Sequence, residues 1–251
     1  MHGHTDSKDP STRDRLAAAA AEMGVRRILL LGDVIAFGYH PTPDQIRFIN
    51  DATIADVKAR PDLYLGLCHI NPENPADFNV AEIERCITAG LKGVKMEATV
   101  ICTDRRLDPI METARRLKVF ILHHAWHQAV RTTEGESTPA DIANLASRFP
   151  DVPIQMAHLG GARVRGVLDI RPYPNILVDT SGSQPMGELI EYAVGMIGAE
   201  RIVYGSDVPG RDFSAQLGRV WGARISEADR RKILYQNAER LLGLESTRSV
   251  A

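Results

Sequence analysis

Short apolar runs alternate with helix-period segments along the whole of this chain, and no other feature constrains its fold as tightly. Seven runs, at residues 25–31, 63–70, 93–97, 119–124, 152–158, 175–179 and 201–204, have the length and β-branched content of strands. Between them, residues 12–23, 44–59, 81–89, 107–117, 140–148 and 187–197 carry apolar side chains at helical spacing, and a further helix is expected over 227–242. Strands joined through helices pair in parallel, since a parallel neighbour is reached only by a crossover. No linker, low-complexity tract or internal repeat breaks the rhythm, so residues 1–251 read as one domain.

Two architectures satisfy that pattern. The 251 residues match the size of a TIM (β/α)8 barrel, which needs one strand beyond the seven. Only Met1-His2-Gly3-His4 is left to supply it, so a barrel here is expected to have a truncated first strand. An open doubly wound sheet accommodates seven strands but usually carries a glycine-rich phosphate loop after the first, and no such loop follows Leu31. The barrel is therefore the expected fold.

Composition removes several classes of partner. Lys+Arg 30 against Asp+Glu 32, with no long basic run, leaves no electrostatic footprint for nucleic acid. No apolar stretch approaches a membrane span, and the polar N-terminus has no signal-peptide core. Cys68, Cys86 and Cys102 are odd in number and lack CxxC spacing, which argues against a disulfide framework and for a reducing, cytoplasmic setting. The expected partner is a small-molecule substrate, not nucleic acid and not a membrane, and a homo-oligomer is compatible with the sequence.

Ligand-type residues sit where the strands end, at His69, Glu97, His123, His124, His158, Asp179 and Asp207. In a parallel barrel those ends converge on the active face. His2 and His4 are two apart, so on an extended segment they point the same way and reach one ion together. An HxH pair beside an initiator Met is also what a frayed terminus would carry. The adjacent His123 and His124, and later His158, come straight off buried runs; taken singly, each is equally well explained as a hydrogen-bonded core histidine. Asp207 precedes turn residues, where an N-cap for the next helix is the plain alternative.

In order, HGH at 2–4, GLKGVKM at 90–96, ILHHAW at 121–126, AHLGG at 157–161, VDTSG at 178–182, YGSDVP at 204–209 and QNAERLLGL at 236–244 make the chain resemble the amidohydrolase-related metal-dependent hydrolases. That family also holds the aminocarboxymuconate-semialdehyde and resorcylate-type decarboxylases, and the resemblance covers essentially the whole chain. It implies one divalent ion, zinc in the first instance, held by His2 and His4, a fifth-strand histidine and Asp207. Of the two adjacent imidazoles it favours His124, because the Ala-Trp that follows matches the family. His158 is implied to join the metal or act beside it. Lys95 and Glu97 stand where some wider relatives place a bridge between two ions, but a solvated or salt-bridged structural role, and hence a mononuclear site, is the expectation here. Trp126 and His127 are expected to line the substrate pocket, and Arg163, Arg165 or Arg211 to grip a substrate carboxylate.

The activity so implied is metal-dependent hydrolysis of a small ester, lactone or amide. A bound ion lowers its water's pKa to about 7; Asp207 then carries the proton to the leaving group while His158 hydrogen-bonds the developing oxyanion or the substrate. The same parts serve a decarboxylase of a small carboxylic acid if the ion holds substrate oxygens and an acid protonates the carbon left behind. A barrel that has lost catalysis is the non-enzymatic alternative, and metal content distinguishes it.

Overall fold

The structure, a computed structural model, describes residues 2–127, 133–182 and 186–244. Its strands are β1 (Ile28–Leu30), β2 (Tyr64–Gly66), β3 (Cys68–Ile70), β4 (Gly93–Met96), β5 (Phe120–His123), β6 (Ile154–Met156), β7 (Ile176–Asp179) and β8 (Ile202–Val203). All pairings are parallel, β1 with β2 and then β3 through β8 in chain order. β2 and β3 belong to the single run expected at 63–70: its first part pairs back to β1, its second forward to β4, and the Leu67 amide between them donates to the Leu30 carbonyl at 2.8 Å.

The ring closes through the N-terminus. Gly3 bridges in parallel to both Leu30 and Val208. Gly3 N donates to Leu29 O (3.0 Å), Leu31 N to Gly3 O (2.9 Å), His4 N to Val208 O (2.7 Å) and Asp207 N to His2 O (2.8 Å). The expected truncated strand is thus short but functional: residues 2–4 satisfy donors and acceptors on both neighbours, and β1 and the chain beyond β8 need no longer partner. The result is a closed (β/α)8 barrel rather than an open sheet.

Helices α1 (Ser11–Glu22), α2 (Pro43–Ala59), α3 (Ala76–Thr88), α4 (Asp108–Leu117), α5 (Pro139–Arg148), α6 (Leu159–Ile170), α7 (Leu189–Ile197) and α8 (Phe213–Trp221) surround it. The chain then runs through α9 (Glu227–Arg231), a π-helical turn (Lys232–Gln236) and α10 (Asn237–Leu241). Two starts are written in the sequence as Thr-Pro: Thr42 and Thr138 form capping boxes with Gln45 and Asp141, and the proline takes the first helical turn, where its missing N–H costs nothing. α6 and α8 were not expected. α6 begins on Leu-Gly-Gly immediately after β6, and glycine there masks the helical pattern.

Strand residues alternate between two cores. Ile70, Val94, Met96, Ile121, Met156 and Val178 pack outward with helix residues such as Ile83, Ile110, Leu145 and Val167. Leu29, Leu31, Leu65, Leu67, Phe120 and Leu122 fill the interior, with Leu241, Leu242 and Leu244 packed against them. Each such side chain, fully buried, contributes about 1.5–3 kcal/mol. No helix among the described residues is long and apolar enough to cross a membrane, and Cys68, Cys86 and Cys102 are free and buried.

Candidate metal centre

The interior leucines give way to polar groups at the C-terminal ends of the strands. Leu122 lies in the inner core and Ile121 in the outer, so the two-residue period turns His124 inward and His123 outward. His123 is fully buried, its Nδ1 lies 2.6 Å from the His124 carbonyl, and burial pushes its pKa down to about 4. It is a neutral core histidine.

His2 and His4 reach the centre from the closing strand. Their Nε2 atoms approach the same Oδ1 of Asp207, at 3.3 and 3.6 Å. His4 Nδ1 lies 2.9 Å from the Gly32 carbonyl and His2 Nδ1 lies 2.9 Å from Asp179 Oδ2, so each ring has its far nitrogen anchored and its Nε2 turned to the shared position. Donor atoms of His2, His4 and Asp207 all fall within 4.8 Å of one another. Two imidazoles and a carboxylate with anchored outer atoms fit a divalent ion. His124 stands beside this group: its ring is 4.9 Å from that of His158, while its Nδ1 and Nε2 lie 3.5 Å from Glu97 and 2.9 Å from Glu136.

Charge explains the arrangement. Burial alone would push the His2 pKa down, but the Asp179 and Asp207 carboxylates raise it to about 9, so in the metal-free protein a proton supplies the positive charge. Burial would raise Asp207, yet His2 and His4 hold it far below the usual carboxylate range. Glu97 behaves likewise: burial opposes ionisation, and Lys95, 2.5 Å away, together with His124 holds it well down. Lys95 is fully buried in this pair, the structural role expected for it. Burial, with His124 and His2 nearby, pushes His158 down to about 3. His2, His158 and Asp207 all have positive φ, 68°, 73° and 60°, a conformation costing roughly 1–2 kcal/mol in a residue with a Cβ. Such strain clusters where side-chain aim matters more than local stability.

Trp126 walls one side, stacked on His124 (centroids 6.5 Å, 10°) and edge-on to His158 (5.5 Å). It lies so close over Gly161 that a Cβ there would meet the indole at 2.4 Å. His127 donates its amide to the Gly161 carbonyl at 3.1 Å. Arg163 is exposed at a break in α6, with φ 58°. Arg165 pairs with Asp169 at 2.9 Å, and Arg211 donates to the Gly210 carbonyl at 2.6 Å.

Four contributors carried no role in the sequence reading: Asp179, Ser181, Gln155 and Glu136. Asp179 stood among the strand ends, and the VDTSG match was its only further signal. Glu136 reaches His124 from twelve positions along the sequence, a pairing that no motif announces. His69 is a different case. It is fully buried, both ring nitrogens lack a partner among the described residues, and burial pushes its pKa from 6.5 to about 4. The folded state holds it neutral while the unfolded chain protonates it, so stability is full above pH 6.5 and falls as the pH drops toward 4, by about 1.4 kcal/mol per pH unit. Urea unfolding at pH 7.5 and 5.5 should show wild type losing more stability than His69→Gln; equal losses would exclude this histidine as the cause.

Comparison with known proteins identifies the family and the fold. The Amidohydrolase family profile matches residues 35–244, and the chain belongs to that family. A γ-resorcylate decarboxylase from Polaromonas sp. (strain JS666 / ATCC BAA-500) is 24% identical over 249 residues, covering 79% of this chain and 76% of the relative. Among solved structures, 2,6-dihydroxybenzoate decarboxylase from Rhizobium superposes with a TM-score of 0.78 at 18% identity, covering 97% of each chain. A dihydroxybenzoic acid decarboxylase from Polaromonas sp. JS666, with bound manganese and the inhibitor 2-nitroresorcinol, superposes at 0.74 with 18% identity, covering 99% of this chain and 96% of the other. The named relatives are decarboxylases rather than hydrolases, which shifts the weight from the expected hydrolytic activity to its alternative.

Proposed function

We propose that this enzyme is a divalent-metal-dependent decarboxylase of a small hydroxylated aromatic acid. The observation that carries the reading is the convergence of His2 Nε2 and His4 Nε2 on Asp207 Oδ1, in a chain whose named relatives decarboxylate dihydroxybenzoates. His2, His4 and Asp207 are the residues that would hold the ion, zinc or the manganese of its relative, with His124 as the further ligand once its Nε2 leaves Glu136. A divalent ion there supplies Lewis-acid charge for the oxygens of the substrate.

The side chains account for the rest. Trp126 stacks alongside the aromatic ring and excludes water. Arg163 is a candidate for the outer rim, where a cation would orient the approaching carboxylate. As the ring–carboxyl carbon bond breaks, carbon dioxide leaves and the bonding pair stays on the ring carbon, which must take up one proton. Asp207, ionised at rest and with 20% of its side chain exposed, would take that proton from solvent water and relay it to the ring carbon, ending the turnover ionised again, while His158 holds a substrate hydroxyl beside it.

The test is direct. Protein loaded with Mn²⁺ or Zn²⁺ is offered dihydroxybenzoates and, separately, small esters, lactones and amides. Carbon dioxide and decarboxylated arene in equal amounts are expected from the acids. Hydrolysis of the second group with no carbon dioxide from the first would return the protein to hydrolytic chemistry.

A further inference from the structure

Asp179 is the most heavily bonded side chain of the centre, although it faces no substrate. Its Oδ2 lies 2.9 Å from His2 Nδ1 and accepts from Gln155 Nε2 at 3.0 Å. Its Oδ1 accepts from the backbone amides of His158 (3.1 Å) and Ser181 (3.0 Å) and from the Ser181 hydroxyl. The chain packs tightly around it: a Cβ on Gly205 would meet the carboxyl carbon at 2.7 Å.

Hydrogen counting then fixes two protons. An ionised carboxylate only accepts, so the hydrogen between it and His2 belongs to Nδ1. Ser181 has one hydroxyl hydrogen, and the carboxylate takes it. The Ser181 oxygen also lies 2.9 Å from His158 Nδ1, and there it can only accept, which puts a hydrogen on that nitrogen too. We propose that Asp179 is the positioning residue of this centre, keeping a hydrogen on Nδ1 of His2 directly and of His158 through Ser181, so that Nε2 is the nitrogen each ring turns outward, bare on His158 and bare on His2 once an ion replaces the proton there. For His2 the bare nitrogen is a ligand. For His158 it is an acceptor, so this ring receives the hydrogen bond of a substrate hydroxyl instead of donating one to an oxyanion.

This inference rests on the metal-centre reading above, and the experiment separates the two. In ¹⁵N-histidine-labelled, Zn²⁺-loaded wild type, NMR should find the ring hydrogens of His2 and His158 on Nδ1; a hydrogen on Nε2 of either ring overturns the proposal. Asp179→Asn can offer an amide hydrogen to His2 and so favour the opposite tautomer, and its Zn²⁺ affinity by chelator competition should fall about 10–100-fold. Ser181→Ala should shift the His158 signals while Zn²⁺ affinity stays within a few-fold of wild type. Affinity unchanged in Asp179→Asn, with wild type binding Zn²⁺, overturns this inference alone. No Zn²⁺ binding by wild type overturns the metal reading with it. If Asp179→Asn does not fold, the wild-type spectrum and Ser181→Ala decide.

Discussion

Asp207→Asn is expected to lower turnover by about three orders of magnitude while leaving a measurable fraction of the metal in place. Proton transfer by a positioned side chain contributes roughly 10²–10⁴ in rate, and an asparagine can still coordinate weakly through its oxygen but cannot carry a proton at neutral pH. The geometry is compatible with both tasks, since one oxygen faces His2 and His4 and a fifth of the side chain is exposed to solvent. The comparison is made at saturating metal, with carbon dioxide release and bound ion measured on the same sample. Turnover near wild type would reduce Asp207 to a turn residue at the end of the barrel and remove the proton carrier from the mechanism.

Replacing His2 and His4 together by alanine should strip the ion almost completely. Four-ligand zinc sites bind with roughly 10–16 kcal/mol, so two ligands account for a share worth 10³-fold or more in affinity, read by metal analysis after dialysis. The fold should survive at reduced stability. His2 sits between Asp179 and Asp207, and its loss leaves two carboxylates facing each other. Asp179 keeps Gln155, Ser181 and the His158 amide, which limits the damage. His4 is partly exposed, so His4→Ala alone separates ligand loss from destabilisation. Full occupancy in the double variant would remove the N-terminal segment from the site.

What the sequence made legible follows from what is local. Strand positions came from β-branched runs, and strand parity showed that only one of His123 and His124 can face inward, because a period of two needs no knowledge of the partner strand; the preference for His124 came from the Ala-Trp that follows it. The helices at 159–170 and 213–221 were missed, since glycines at the start of one and brevity in the other blur the 3.6-residue pattern. The first strand was underrated for a different reason. Strand length is judged against the ladder a segment makes by itself, whereas residues 2–4 borrow their hydrogen bonds from Leu29, Leu31, Asp207 and Val208, all more than twenty positions away. The same non-locality hid Glu136 and Ser181: a serine two residues past a strand-end aspartate is ordinary until Asp179, His158 and His2 surround it.

Closure by residues 2–4 gives the ion a second task. A ring of strands is only as continuous as its weakest seam, and here the seam is a single glycine bridged to each side. His2 and His4 flank that glycine, and Asp207 stands on the opposite lip. An ion held by all three would work as a rivet, joining the two edges of the cylinder at the place where backbone bonding is thinnest. Filling the catalytic centre and sealing the barrel are then one binding event, so the free energy of the first is also available to the second.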